Sequence, residues 1–170
     1  MAPDIFIDDF ENTENTEELH AILGRSLIIA TRFDKLCDHT AKFIDIKKSF
    51  AFLSDAAEFD DYVNILFKKF STLNDNIRSL PLGQPEKDIL HNARIARNEI
   101  AHSLTIGITG CLDAKIDEHN FKAQVSDLVS KVAKGDYLIS ALLSILNKNP
   151  LPTYTDSFYI QKILGWVQGQ

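Results

Sequence analysis

The residues best suited to chemistry lie in one stretch, residues 89–104, with the sequence ILHNARIARNEIAHSL. At about 100° per residue, a helix here has one apolar side and one side rich in imidazole and guanidinium groups. The apolar side comprises Ile89, Ala93, Ala96, Ile100 and Leu104. The polar side comprises His91, Arg94, Asn98 and His102, with Arg97 at its border. Imidazoles transfer protons near neutral pH and guanidiniums bind phosphate, so this side predicts a functional surface. The alanines predict a close approach to neighbouring helices.

The segment RNEIAH, residues 97–102, resembles the signature of the HEPN superfamily. That signature is an Arg, usually followed by a polar residue, with a His five residues after the Arg; Arg97, Asn98 and His102 fill the three places. The resemblance in helix order covers most of residues 16–148. It implies an all-helical fold with one of two functions. One is a metal-independent endoribonuclease of the toxin or phage-defence type, and the other is a non-catalytic module for dimerisation or for binding a nucleotide or partner.

The resemblance also implies roles for the three motif residues in a site shared across a homodimer. His102 would supply acid–base function, Arg97 would grip the scissile phosphate of RNA, and Asn98 would orient both by hydrogen bonding. A two-fold axis would supply the second imidazole, because cleavage by the RNA's own 2′-hydroxyl needs both a base and an acid. An antitoxin protein is a further implied partner. Arg94 and His91 are candidate RNA or phosphate contacts from their position on the helix alone.

Other interpretations of the same residues stay open. Arg94 and Arg97 could pair with Asp88, Glu99 or carboxylates on a neighbouring helix. His102 could be an ordinary surface histidine, as we expect for His20, His39 and His119. Many HEPN toxins carry a modified Tyr two residues after the His; that position is Leu104 here, which we expect in the core.

A metal site is a weaker alternative. Glu17 with His20, and Glu99 with His102, match the Glu-x-x-His spacing of di-iron bundles. Those ligands must project into the bundle core, whereas both pairs here point away from the apolar stripes. We therefore predict no metal and no cofactor.

Composition indicates a soluble globular protein. The 170 residues are 45% hydrophobic and 25% charged, with a net charge of −6, which counts against broad, non-specific nucleic-acid binding. Two cysteines make no disulfide framework. The acidic N-terminal sequence does not resemble a secretory signal, and no stretch approaches the ~20 apolar residues of a membrane span. We expect a cytoplasmic protein with an acidic arm over residues 1–14 and a single HEPN-like domain over residues 15–170.

Hydrophobic periodicity predicts the elements that position the motif. The first helix begins near Asn15 or Thr16 and runs towards Ile44, before a break near residues 54–55. A second helix covers residues 59–80, and a third begins at Pro85 and carries the motif. A loop follows over residues 105–117. A fourth helix covers residues 118–148, with a kink or split at residues 135–136, and a short fifth helix in the tail is anchored by Trp166. The expected architecture is an up-down antiparallel bundle of four main helices plus the short C-terminal helix.

Overall fold

The protein is all-helical over the residues that the computed structural model describes, which are 15–49, 56–104 and 117–170. Its six helices are α1 (Thr16–Ser49), α2 (Ala56–Lys69), α3 (Leu73–Ser79), α4 (Gln84–His102), α5 (Glu118–Leu146) and α6 (Asp156–Gln168). The all-α class is therefore confirmed. The N-terminal arm, the predicted break near residues 54–55 and nearly all of the loop after Leu104 lie outside the described residues. None of the six helices has the length and apolar character that crossing a bilayer requires.

The core lies between α1, α4 and α5. Helix α5 packs against α1, α4 and α6, while α1 also contacts α3, α4 and α6. Apolar residues at helical spacing supply this core, as an amphipathic stripe should. On α1 the buried positions include Leu19, Ile22, Ala30, Phe33, Cys37 and Ala41, which recur at helical spacing.

The predicted split at residues 135–136 is wrong, since α5 is one continuous helix from Glu118 to Leu146. Gly135 serves a different purpose, which is to let three helices approach closely. A Cβ atom at Gly135 would lie 2.5 Å from Cβ of Ala93 on α4 and 2.9 Å from Cε2 of Phe33 on α1. The close approach expected from the alanines of residues 89–104 is thus confirmed at Ala93.

The predicted second helix is two helices, and this is the main correction to the expected element list. The chain leaves the α2 helix after Lys69, and α3 begins with Thr72 as its N-cap, whose side chain accepts a hydrogen bond from the backbone N–H of Asp75. The apolar repeat continues across the break because buried residues on both helices, including Leu66 and Ile77, belong to the same core. Tyr62 ties α2 to α1 by donating a 2.9 Å hydrogen bond to Asp45.

Helix α6 is present as predicted, but its anchor is not Trp166. The Trp166 side chain is 44% exposed, whereas the next residue, Val167, is fully buried. The C-terminal cap explains this register: Gly169 has a φ of 77°, and Arg25 Nε on α1 donates a 2.8 Å hydrogen bond to the Val167 carbonyl. These contacts fix the last turn of α6 with Val167 inward.

Candidate functional site

Helix α4 presents its motif residues because its other side is fixed in the core. Pro85 lies in the first turn, as predicted, where its missing N–H costs nothing. The buried residues of the stripe are Leu90, Ala93, Ala96, Ile100 and, just beyond the helix, Leu104. The expected core position of Leu104 is confirmed, while Ile89 is only half-buried and Leu90 takes its place. The remaining sides of α4 carry its polar groups together with the exposed Ile95.

Arg97 is held by contacts on two sides. Its Nη2 donates a 2.6 Å hydrogen bond to Asp34 Oδ2 on α1, within an ion pair. Its Nη1 donates a 3.1 Å hydrogen bond to Oδ1 of Asn98. An ion pair with a carboxylate on a neighbouring helix was one interpretation left open by the sequence, and it is confirmed for Arg97. Asp34 itself was missed, because its pairing depends on how α1 lies against α4.

A second group of motif-helix residues points outward and forms what we call the outer face of α4: His91, Ile95, Asn98 and His102. These residues follow one another at spacings of three or four, so they lie along one line on the helix. Asn98 and His102 are exposed, and Ile95, an apolar residue between them and His91, is 55% exposed. Burial, together with the positive charge of Arg94, lowers the pKa of His91.

Arg94, Arg97 and Asn98 line an open groove of about 600 Å³ between α1, α3 and α4, which we call the α1–α3–α4 groove. Neither His91 nor His102 is among its lining residues. Its charged lining side chains are Asp34, Lys35, Asp38, Lys42, Arg94 and Arg97. Four basic groups against two acidic ones make this groove locally positive, in a chain whose net charge is −6. The groove therefore offers an anion a favourable site on an otherwise acidic protein.

Two polar atoms on residues that line the groove are buried without a hydrogen-bond partner among the described residues. They are Oδ1 of Asn76 on α3 and Nε of Arg94 on α4. Sequence reasoning missed Asn76, because the apolar repeat around Leu73, Ile77 and Leu80 concealed it. A polar residue on an otherwise apolar stripe was the available signal. Buried polar groups are nearly always paired in folded proteins, so each such exception marks a place of interest.

A polar residue on an apolar stripe also marks a buried carboxylate on α5. Asp136 is fully buried at a stripe position between Val132 and Ile139. Its Oδ2 accepts hydrogen bonds from the Tyr159 hydroxyl at 2.6 Å and from Arg32 Nε at 3.2 Å. Burial raises the pKa of Asp136, against the opposing effects of Tyr159 and Arg32. These bonds join α1, α5 and α6 through one carboxylate.

The remaining histidines lie where the sequence predicted, since His20, His39 and His119 are all exposed. Of the two Glu-x-x-His pairs, Glu17, His20 and His102 are exposed and Glu99 is half-buried. Within residues 15–49, 56–104 and 117–170, no three His, Cys, Asp or Glu side chains are grouped so that they could hold a metal ion.

Comparisons with protein-family models, with curated proteins and with solved structures gave no match. The function is therefore inferred from the residues of the site and their geometry.

Proposed function

We propose that this protein is a HEPN-like, metal-independent endoribonuclease, built as an up-down antiparallel bundle and active as a homodimer. One observation carries the proposal. On a single helix, Arg97 is hydrogen-bonded to Asn98, and the exposed imidazole of His102 lies one turn further along. A phosphate-binding cation, an orienting amide and a proton-transfer group are thus presented by one rigid element.

The chemistry assigned to these residues is cleavage by the RNA's own 2′-hydroxyl. One imidazole accepts the 2′-hydroxyl proton while that oxygen attacks the adjacent phosphorus. The other imidazole protonates the departing 5′-oxygen, and Arg97 stabilises the charge on the phosphorane. The products are a 2′,3′-cyclic phosphate and a 5′-hydroxyl.

A second copy of the chain is part of the proposal, because one protomer brings a single His102 to the outer face of α4. An isologous dimer through this face would bring two copies of His102 and Arg97 around one cleft. The exposure of Ile95, between His91 and Asn98, supports an apolar contact at this position. Desolvating Ile95 in a dimer would add favourable apolar burial next to the catalytic groups.

The charge of the α1–α3–α4 groove supports RNA as the substrate class. Neither Lys35 nor Arg94 forms an ion pair with another described residue, so both remain free to attract phosphate. The acidic remainder of the chain would repel nucleic acid elsewhere, which directs the strand to this side of α4.

The second candidate is a non-catalytic binding module of the same fold. The observation that favours it is the ion pair between Arg97 and Asp34, because a guanidinium already paired binds phosphate less strongly. In this alternative α4 would mediate dimerisation or bind a nucleotide or protein, and His102 would be a surface residue.

RNA cleavage in the presence of EDTA separates the two candidates. Several single-stranded and structured RNAs should be cut by wild type and spared by His102→Ala and Arg97→Ala. His119→Ala is the matched control, because His119 is an exposed histidine on α5 outside the proposed site, and it should cut like wild type. Absence of cutting by wild type across the set would leave the binding module as the better account.

A further inference from the structure

We propose that the α1–α3–α4 groove binds a nucleobase of single-stranded RNA, with Asn76 and Arg94 contacting the hydrogen-bonding edge of the base. This inference rests on the proposed function for its substrate class. It adds a recognition site on α3, outside the motif and outside the set of residues that resemble HEPN proteins.

The first observation is the buried amide of Asn76. The residue is only 2% exposed, and its Oδ1 has no hydrogen-bond partner among the described residues. Its position is fixed, because the Thr72 cap starts α3 and the neighbouring Ile77 is fully buried. A buried acceptor without a partner destabilises the folded protein, so a ligand that donates a hydrogen bond to it would be favoured.

The second observation is the buried donor of Arg94. Its Nε–H also lacks a partner among the described residues, and Arg94 lines the same groove as Asn76. Both atoms are covered in this structure, so a ligand reaches them only when the two side chains rotate towards the groove, and it must then carry a donor and an acceptor on one edge. Phosphate, sulfate and carboxylate offer acceptors only, whereas every nucleobase carries both on its Watson–Crick edge.

The other lining residues suit the rest of a nucleotide. The ring of Phe67 lines the groove and is 61% exposed; Lys42 Nζ lies 4.7 Å from its centroid over one face, so a base would stack on the other face. The volume of about 600 Å³ lies within the range of roughly 300–1,000 Å³ typical of small-molecule sites. Lys35 and Arg94 provide positive charge for the attached phosphate.

The groove also connects to the proposed catalytic residues. Arg97 and Asn98 line it, and both belong to the proposed motif site. A base held by Asn76 would therefore place a neighbouring phosphate beside Arg97. Base recognition on α3 and phosphate cleavage on α4 would then act on adjacent parts of one strand.

The test is equilibrium binding to the full chain, independent of cleavage. Each of the four ribonucleoside 5′-monophosphates is titrated into wild type by calorimetry, with ribose 5-phosphate as the probe that lacks a base. We expect at least one mononucleotide to bind at least tenfold more tightly than ribose 5-phosphate. A single-stranded oligonucleotide with 2′-O-methyl groups, which cannot be cleaved by 2′-hydroxyl attack, should displace it.

Asn76→Leu is the decisive variant, because it keeps the approximate size of the side chain and removes the unpaired oxygen. A merely structural Asn76 predicts unchanged or improved thermal stability and unchanged binding. Our proposal also predicts unchanged or improved thermal stability, but with at least a tenfold loss of mononucleotide affinity. Asn92→Ala, at an exposed asparagine on α4 that does not line the groove, should bind like wild type.

The inference would be overturned by no mononucleotide binding at millimolar concentration, by equal affinity for ribose 5-phosphate, or by unchanged affinity in Asn76→Leu. Failure of the oligonucleotide to compete would also overturn it, by assigning the groove to a free nucleotide. Binding that depends on Asn76 without any RNA cleavage would refute only the nuclease proposal. Cleavage without Asn76-dependent binding would refute only this inference.

Discussion

Nη2 of Arg97 on α4 lies 2.6 Å from Oδ2 of Asp34 on α1. Both side chains are largely buried, with 27% and 26% of their surfaces exposed. The same guanidinium donates to Asn98, so Asp34 fixes the direction in which Arg97 presents its remaining donors. In the proposed nuclease, Asp34 is a positioning residue for the phosphate-binding cation.

Replacing Asp34 should therefore affect turnover more than binding. We expect Asp34→Asn to lower kcat for RNA cleavage about tenfold, equivalent to ~1.4 kcal/mol, with KM unchanged or lower because a negative charge leaves the groove. Steady-state kinetics on a defined RNA measures kcat and KM separately. Asp127→Asn removes the carboxylate of an exposed ion pair with Lys131 and should leave both constants unchanged. An equal kcat in Asp34→Asn and wild type would exclude the positioning role.

Gly135 should tolerate no methyl group. We expect Gly135→Ala to lower the free energy of unfolding by about 1–3 kcal/mol, because the new Cβ would overlap Ala93 and Phe33. Gly24→Ala is the matched control, since Gly24 is helical and a Cβ there meets nothing within 4 Å. That control should gain about 0.5–1 kcal/mol through helix propensity. Chemical denaturation measures the free energy of unfolding of both variants. A Gly135→Ala variant more stable than wild type would contradict the close approach of the three helices.

Asp136 should make stability depend on pH in a defined direction. Burial raises its pKa in the folded protein above the ordinary 3.8, so the folded state holds this proton more tightly than the unfolded state. The stability from this group is fully present below pH 3.8 and is lost as pH rises through the raised pKa. The unfolding free energy of Asp136→Asn relative to wild type should therefore increase over that interval.

Denaturation of both proteins between pH 3.5 and 7 measures this difference. Asp127→Asn, which removes the carboxylate of an exposed ion pair on the same helix, is the control for the loss of a charge from α5. A relative stability of Asp136→Asn that falls with rising pH would mean that Arg32 and Tyr159 outweigh the burial of the carboxylate.

The proposed dimer depends on the outer face of α4. We expect Ile95→Glu to halve the mass in solution and to reduce RNA cleavage at least a hundredfold, because a charge would be buried between two copies. Light scattering and the cleavage assay measure these effects on one sample. Ile28→Glu on α1 alters an isoleucine of similar exposure, 59% against 55%, and should remain dimeric and active. A monomeric wild type, or an active monomeric variant, would remove the shared site.

The sequence predicted the parts of the fold that depend on local periodicity. The stripe of α4 apart from Ile89, the length of α5 and the burial of Leu104 follow from apolar spacing. The break between α2 and α3 was missed, because one apolar repeat continues through it and only the Thr72 cap marks the new helix. Trp166 was chosen as an anchor for its size, whereas the C-terminal cap of α6 turns Val167 inward.

The site was predictable only where its residues share one helix. Arg97, Asn98 and His102 were found because they recur on α4 at short spacing. Asp34 and Asn76 come from other helices, and their proximity to α4 depends on tertiary packing. Asp136 was missed as a core residue for the same reason, because the groups that hydrogen-bond to it, Arg32 and Tyr159, come from α1 and α6.

The chemical groups at the new RNA ends show whether cleavage proceeds by attack of the 2′-hydroxyl. After the cleavage position is mapped in EDTA, the same RNA is prepared with a single 2′-deoxyribose on the 5′ side of the scissile phosphate. With 2′-hydroxyl attack at a His102 site, we expect a 2′,3′-cyclic phosphate and a 5′-hydroxyl from the all-ribose strand, no cutting of the deoxy-substituted strand, and no cutting of either strand by His102→Ala. Products with 5′-phosphate ends, or undiminished cutting of the deoxy-substituted strand, would contradict it.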